Sequence, residues 1–166
     1  LLEPNFHALQ LIAEVALGIV GFSAILIGLS RTSDGFSEAD TFRIQLLTYS
    51  AFGAMFCALM PFAIFNEENI ALSWSVILWT LCIFSAAGLL IFPQRMLSLR
   101  KNGYQEIFPL KLFFFQAGIL SINFILSWIM ILGHITALAN FYVGCLILFL
   151  IQSTMAFIRT MFVRVG

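Results

Sequence analysis

Long apolar runs separated by short polar breaks are the feature that most constrains this chain. Five such runs occupy residues 9–29, 44–65, 70–92, 112–132 and 137–158. A helical crossing of a bilayer needs about 20 predominantly apolar residues, and each run has about that length. In hydrocarbon a helix bonds all of its own backbone polar groups. The runs predict an all-α polytopic membrane protein, one bundle of five transmembrane helices across residues 1–166.

The composition agrees with this class. Apolar residues make up 61% of the chain and charged residues 10%, whereas soluble domains carry about 25% charged residues. The formal net charge is zero, and no basic tail or stripe indicates a nucleic-acid partner. The expected partners are therefore the lipid bilayer and either further copies of this chain or other membrane subunits.

Turn and polar residues mark the breaks between the runs. The first run ends at residues 31–35 and the second at residues 66–69, both rich in turn-forming types. Pro93 is predicted to stop the third helix, and the polar loop 94–111 leads to the fourth. Residues 133–136 supply the break between the last two helices, because the combined apolar stretch is too long for a single crossing.

The second helix carries two local signals. Ser37 or Asp40 can cap its amino terminus, and Asp40 can pair with Arg43 three residues later. Pro61 lies inside the helix and leaves the carbonyl of Cys57 without its usual donor. We expect a bend near that end of the helix.

The basic residues predict the orientation, because cytoplasmic loops carry the excess of Lys and Arg. With the amino terminus outside and the carboxyl terminus in the cytoplasm, five crossings place all eight basic residues on the inner side. These are Arg31, Arg43, Arg95, Arg100, Lys101, Lys111, Arg159 and Arg164.

Glu14 is the one ionisable side chain clearly inside an apolar run. Residues of this kind within a membrane are expensive and are functional candidates by default. At helical spacing Glu14 shares a face with two polar residues and three glycines: His7, Gln10, Gly18, Gly21 and Gly28. The glycines allow the backbone of another helix to approach closely. We expect this face to be buried against protein, with Glu14 acting either in helix packing or in binding or moving a proton or cation.

Polar residues also recur on the fourth and fifth helices. The fourth carries Gln116, Asn123, Ser127 and His134 on one side, and the fifth carries Asn140, Gly144 and Gln152. The depth of each residue in the membrane follows from its distance along its helix, at about 1.5 Å per residue. On this count Glu14 lies level with Ser127 and near Asn140. Asn123 lies level with the segment from Gly18 to Gly21. These residues are the predicted partners of the first helix.

The sequence offers little for metal or enzyme chemistry. His7 and His134 lie singly at helix ends, which makes them weak candidates for a metal site. No HExxH or CxxC motif is present, and each of the three cysteines sits in an apolar run: Cys57, Cys82 and Cys145. We expect no cofactor, no metal and no enzymatic activity.

The first third of the chain carries a pattern made by Glu14, the pair Gly21 and Phe22, Arg31, and the step from Asp40 to Arg43. Over about residues 11–60 it resembles a group of small, uncharacterised bacterial membrane proteins. The resemblance implies a bacterial inner membrane and no particular activity.

Two functions are consistent with these patterns. The first is a non-enzymatic membrane scaffold or accessory subunit that assembles through the glycine-lined face of the first helix. The second is a small channel or transporter in which Glu14 and the polar side of the fourth helix line a path for protons or cations.

Overall fold

A computed structural model of the protein describes residues 3–29, 37–133 and 137–162. Five long helices account for most of them, and all five are long and apolar enough to cross a membrane. They are α1 Phe6–Leu29, α2 Glu38–Ile64, α3 Ile70–Lys101, α4 Leu110–Ile131 and α5 Leu138–Phe162. The predicted all-helical fold with five candidate membrane spans is therefore confirmed, including the division between the last two helices.

Four of the helices form a closed ring. α2 packs against α3, α3 against α4 and α4 against α5, and α5 returns to pack against α2. α1 lies outside this ring against α2 and α5, and within the described residues it contacts neither α3 nor α4. The buried side chains of α1 explain this position, because Leu9, Ile12, Ala13 and Ala16 recur at helical spacing and form one apolar stripe.

α2 begins at Glu38 and not near residue 44, where its apolar run starts. The Ser37 hydroxyl caps the helix by accepting a hydrogen bond of 3.1 Å from the backbone N–H of Asp40. Asp40 also pairs with Arg43 at 3.2 Å, and Phe42 is buried in the core. The cap, the ion pair and the buried ring together stabilise a first turn that hydropathy alone does not reveal.

The prediction that Pro93 stops the third helix is wrong. α3 continues through Pro93 to Lys101, and the connection to α4 shortens to residues 102–109. An interior proline removes one helical hydrogen bond, but Met96 and Leu99 beyond it are buried, and their burial favours the continued helix. Gly103, with φ of +100°, follows in the left-handed conformation that glycine adopts easily.

Side-chain hydroxyls join the helices of the ring. Tyr49 of α2 donates a hydrogen bond of 2.6 Å to the carbonyl of Phe84 in α3. Ser153 of α5 donates one of 3.1 Å to the carbonyl of Leu47 in α2. Such bonds contribute about 0.6 kcal/mol each on average between membrane helices, and they fix the depth at which neighbouring helices meet.

Candidate functional site

The outer face of α1, defined as His7, Gln10, Glu14, Gly18, Gly21 and Gly28, points away from the rest of the chain. All six residues are exposed. At about 100° per residue they lie opposite the buried stripe that packs against α2 and α5. The residues do share one side of the helix, but within this chain that side is not buried against protein as the sequence suggested.

Glu14 is bonded within its own helix. Its Oε1 accepts a hydrogen bond of 2.9 Å from Nε2 of Gln10, one turn earlier. It lies eight positions after Phe6, the first residue of α1, which places it about 12 Å along the helix axis. The carboxyl group and the amide therefore form one polar patch on a helix that is apolar enough to lie in hydrocarbon.

Within the described residues, no neighbouring atom lies close to the glycines of the outer face. A Cβ atom added at Gly18, Gly21 or Gly28 would meet no atom within 4 Å. In the core, by contrast, a Cβ at Gly88 would lie 3.0 Å from Cε1 of Tyr49. The small residues of α1 thus leave a shallow, open surface that a second helix could approach closely.

Within the described residues, the predicted pairing of α1 with the polar residues of α4 does not form inside one chain, although α1 does pack against α5. α1 does not contact α4, and Ser127 is buried inside the ring, where its hydroxyl donates to the carbonyl of Asn123 at 2.6 Å. Asn140 is exposed on α5 and forms no hydrogen bond with Glu14. Depth counting gave levels along the membrane normal, but it carried no information on which helices are neighbours.

A second set of polar side chains lies inside the ring, one from each of its four helices. Asn123 of α4 and Gln152 of α5 are buried, and within the described part of the chain their side-chain amides form no hydrogen bond. The hydroxyls of Ser50 in α2 and Ser85 in α3 are likewise buried without a partner there. We call these four residues the buried polar layer.

The interhelical hydrogen bonds place three members of this layer at a similar depth. The hydroxyl of Tyr49 bonds to the carbonyl of Phe84, and these two residues directly precede the serines of the layer in α2 and α3, Ser50 and Ser85. The hydroxyl of Ser153, which directly follows Gln152, bonds to the carbonyl of Leu47. Leu47 lies about one helical turn before the α2 serine. The sequence indicated the polar side of α4, including buried Gln116, but single serines within apolar runs gave no signal for Ser50 or Ser85.

Arginines gather at one end of the bundle around the α3–α4 connection. Arg43 is only 2% exposed, pairs with Asp40, and lies 5.7 Å from the centre of the Phe108 ring. Arg100 donates to the carbonyl of Phe108, and Arg159 donates to the carbonyl of Ile107. The connection is held against this end of the bundle, because its carbonyls accept hydrogen bonds from guanidinium groups of two helices. Arg31 and Arg164 lie outside the described residues.

The described residues hold no group of three or more His, Cys, Asp or Glu side chains that could bind a metal ion. His7 is exposed on α1, and His134 lies outside the described residues. The three cysteines, Cys57, Cys82 and Cys145, are buried and free. The expectation that the protein uses no metal or cofactor stays a prediction.

A scan against protein-family models finds no match to this chain, and searches of curated proteins and of solved structures find no similar protein. The resemblance over residues 11–60 therefore stays a prediction. Among the described residues, the outer face of α1 and the buried polar layer both place polar side chains within candidate membrane-spanning helices, away from the arginines at the end of the bundle.

Proposed function

We propose that the protein is a non-enzymatic integral membrane scaffold or accessory subunit that assembles through the outer face of α1. The observation that carries this proposal is the direction of Glu14, which points away from its own chain together with Gln10 and three glycines. The partner is a helix of a second copy of the chain or of another membrane subunit.

The energetics of the bilayer favour such a partner. An ionised side chain at the centre of a membrane costs about 3 kcal/mol on insertion scales, and intramembrane acidic groups normally face protein or water. Gln10 supplies one hydrogen bond to Glu14, and the remaining lone pairs of the carboxyl group need further donors. A helix packed against Gly18 and Gly21 would bring such donors within reach while excluding lipid.

The orientation belongs to the same proposal. The end that carries Arg43, Arg95, Arg100 and Arg159 lies in the cytoplasm, since cytoplasmic ends carry the excess of basic residues. The amino terminus is then outside and the carboxyl terminus inside. The resemblance of residues 11–60 supports a bacterial inner membrane as the location.

Native mass spectrometry of the detergent-extracted particle tests the assembly. We expect a mass above that of one chain, with Gly21→Leu reducing the assembled fraction because its side chain would fill the surface where the partner approaches. Gly118→Leu on α4 is the matched control, since a Cβ there also meets nothing within 4 Å. A monomeric wild-type particle, or equal loss in both variants, would contradict the proposal.

The buried polar layer favours a second candidate function, passage of a proton or a small cation along the axis of the ring. Amides that are buried without a partner can hold water or a cation, as polar groups inside membrane bundles commonly do. Glu14 would take no part in this path, because it lies on α1 outside the ring.

Proteoliposomes with an entrapped pH dye distinguish the two functions. Conduction along the ring predicts a proton flux that Asn123→Leu removes and Glu14→Gln leaves unchanged. The same vesicles are also tested with sodium and potassium gradients. If well-assembled wild-type protein conducts none of these ions, conduction is excluded and assembly stays the proposed function.

A further inference from the structure

An apolar groove runs along the outside of the ring between α2 and α3. Its volume is about 680 Å³, and aromatic and aliphatic side chains form its walls, among them Phe52, Phe56, Phe84 and Ile91. The groove opens to the surroundings of the ring and lies on helices that can span a membrane. Its natural surroundings are therefore lipid chains.

A polar pocket adjoins one end of this groove. Its volume is about 330 Å³, and it is lined by Glu38, Thr41, Arg95, Ser98 and Asn102, among others. Arg95 also lines the apolar groove, so the two spaces meet at its side chain. The guanidinium of Arg95 donates to Oε1 of Gln45, which holds it at the boundary between polar and apolar space.

The charges in the polar pocket are arranged as a separated pair. Glu38 supplies an anion and Arg95 a cation to the same pocket. Among the described residues, the only ion pair joins Arg43 with Asp40, so the Glu38 carboxylate and the Arg95 guanidinium are not within 4.0 Å of each other. A ligand with a negative group followed by a positive group would complement both.

The length of the groove matches one leaflet. Its lining residues on α2 extend from Ile44 to Phe56, twelve residues apart, which corresponds to about 18 Å along a helix. Half of a hydrocarbon core of about 30 Å is about 15 Å. An acyl chain of one leaflet would therefore fill the groove with its headgroup at Arg95.

We propose that this groove and pocket form a binding site for a zwitterionic phospholipid with a primary ammonium headgroup. Arg95 binds the phosphate with help from the hydroxyls of Thr41 and Ser98, Glu38 binds the ammonium, and an acyl chain lies along the aromatic wall. The site is separate from the outer face of α1, because α1 does not contact α3. Lipid binding and assembly can thus be measured independently.

Native mass spectrometry after reconstitution tests the site. Protein is exchanged into vesicles of equimolar phosphatidylethanolamine, phosphatidylcholine and phosphatidylglycerol, extracted in mild detergent, and scored for retained lipid. We expect preferential retention of phosphatidylethanolamine and a roughly tenfold loss of it in Arg95→Ala, the size expected for one charge-assisted contact. Lys111→Ala is the matched control, because it also removes one basic residue, and Lys111 lines neither the polar pocket nor the apolar groove.

Glu38→Gln provides a second, independent readout. We expect it to lower retention of phosphatidylethanolamine relative to phosphatidylglycerol, since the ammonium loses its anionic partner while the phosphate keeps Arg95. Equal retention of all three lipids by the wild-type protein would overturn the proposal even if a variant failed to fold. Equal loss of lipid in Arg95→Ala and Lys111→Ala would also overturn it, because it would indicate only a general effect of charge.

Discussion

The hydroxyl of Tyr142 donates a hydrogen bond of 2.6 Å to the backbone carbonyl of Cys57. Pro61, four residues after Cys57, has no N–H, so this carbonyl lacks its normal helical donor. A side chain of α5 therefore supplies the bond that a proline removes from α2. Trp74 of α3 packs edge-on against Tyr142, with ring centres 5.6 Å apart, which ties three helices together at this point.

Tyr142→Phe should lower the free energy of unfolding by about 0.6–1.7 kcal/mol, which spans the average and the largest value measured for hydrogen bonds between membrane helices. The cost should be smaller when the same change is made in a Pro61→Ala background, because an alanine at this position restores the helical N–H donor to the carbonyl. Unfolding in mixed micelles, followed by tryptophan fluorescence, measures both costs. Equal costs in the two backgrounds would show that the tyrosine does not replace the missing donor.

Glu14→Gln should preserve assembly, because glutamine keeps a side-chain oxygen that accepts from Gln10. Glu14→Leu should weaken assembly, since it removes that acceptor from the outer face of α1 without altering any contact inside the ring. The assembled fraction of each variant is read from native mass spectrometry. Glu106→Leu, in the exposed α3–α4 connection, serves as the control for loss of one carboxylate. If Glu14→Leu assembles as fully as the wild-type protein, Glu14 does not contribute to the interface.

Cysteine labelling tests the orientation. We expect a cysteine at Lys101 to react with a membrane-impermeant maleimide only after the cytoplasmic side is opened, whereas a cysteine at Glu67 reacts from outside. The native cysteines, Cys57, Cys82 and Cys145, are buried and should give little background. Labelling of both positions from the same side would contradict the alternation of five crossings.

Much of the fold could be predicted from the sequence, because hydrocarbon imposes helices on every long apolar run. The boundaries needed more than hydropathy. The capping pattern correctly indicated Ser37 as the start of the second helix, whereas the apolar run began only near residue 44. Pro93 was wrongly expected to stop the third helix, because the burial of Met96 and Leu99 favours its continuation. The neighbours of each helix could not be predicted. A polar residue such as Glu14 indicates which face of its helix is special, but it does not indicate which helix packs against that face.

The surroundings of Gly88 show how closely the four helices of the ring, α2 to α5, pack together. A Cβ added there would lie 3.0 Å from Cε1 of Tyr49 and 3.1 Å from Cδ2 of Leu120. Tyr49 has little freedom to move, because its hydroxyl is bonded to the carbonyl of Phe84 and its ring packs 5.0 Å from that of Phe92.

Gly88→Ala should therefore lower the free energy of unfolding by about 1 kcal/mol, at the lower end of the overpacking range, since the helix propensity of alanine offsets part of the strain. Gly144→Ala on α5 is the control: a Cβ there meets nothing within 4 Å, so the change should be neutral or slightly stabilising. Both values come from unfolding in mixed micelles. A Gly88→Ala protein as stable as Gly144→Ala would mean that Tyr49 and Leu120 yield readily, and that the contact between α2, α3 and α4 is looser than these distances indicate.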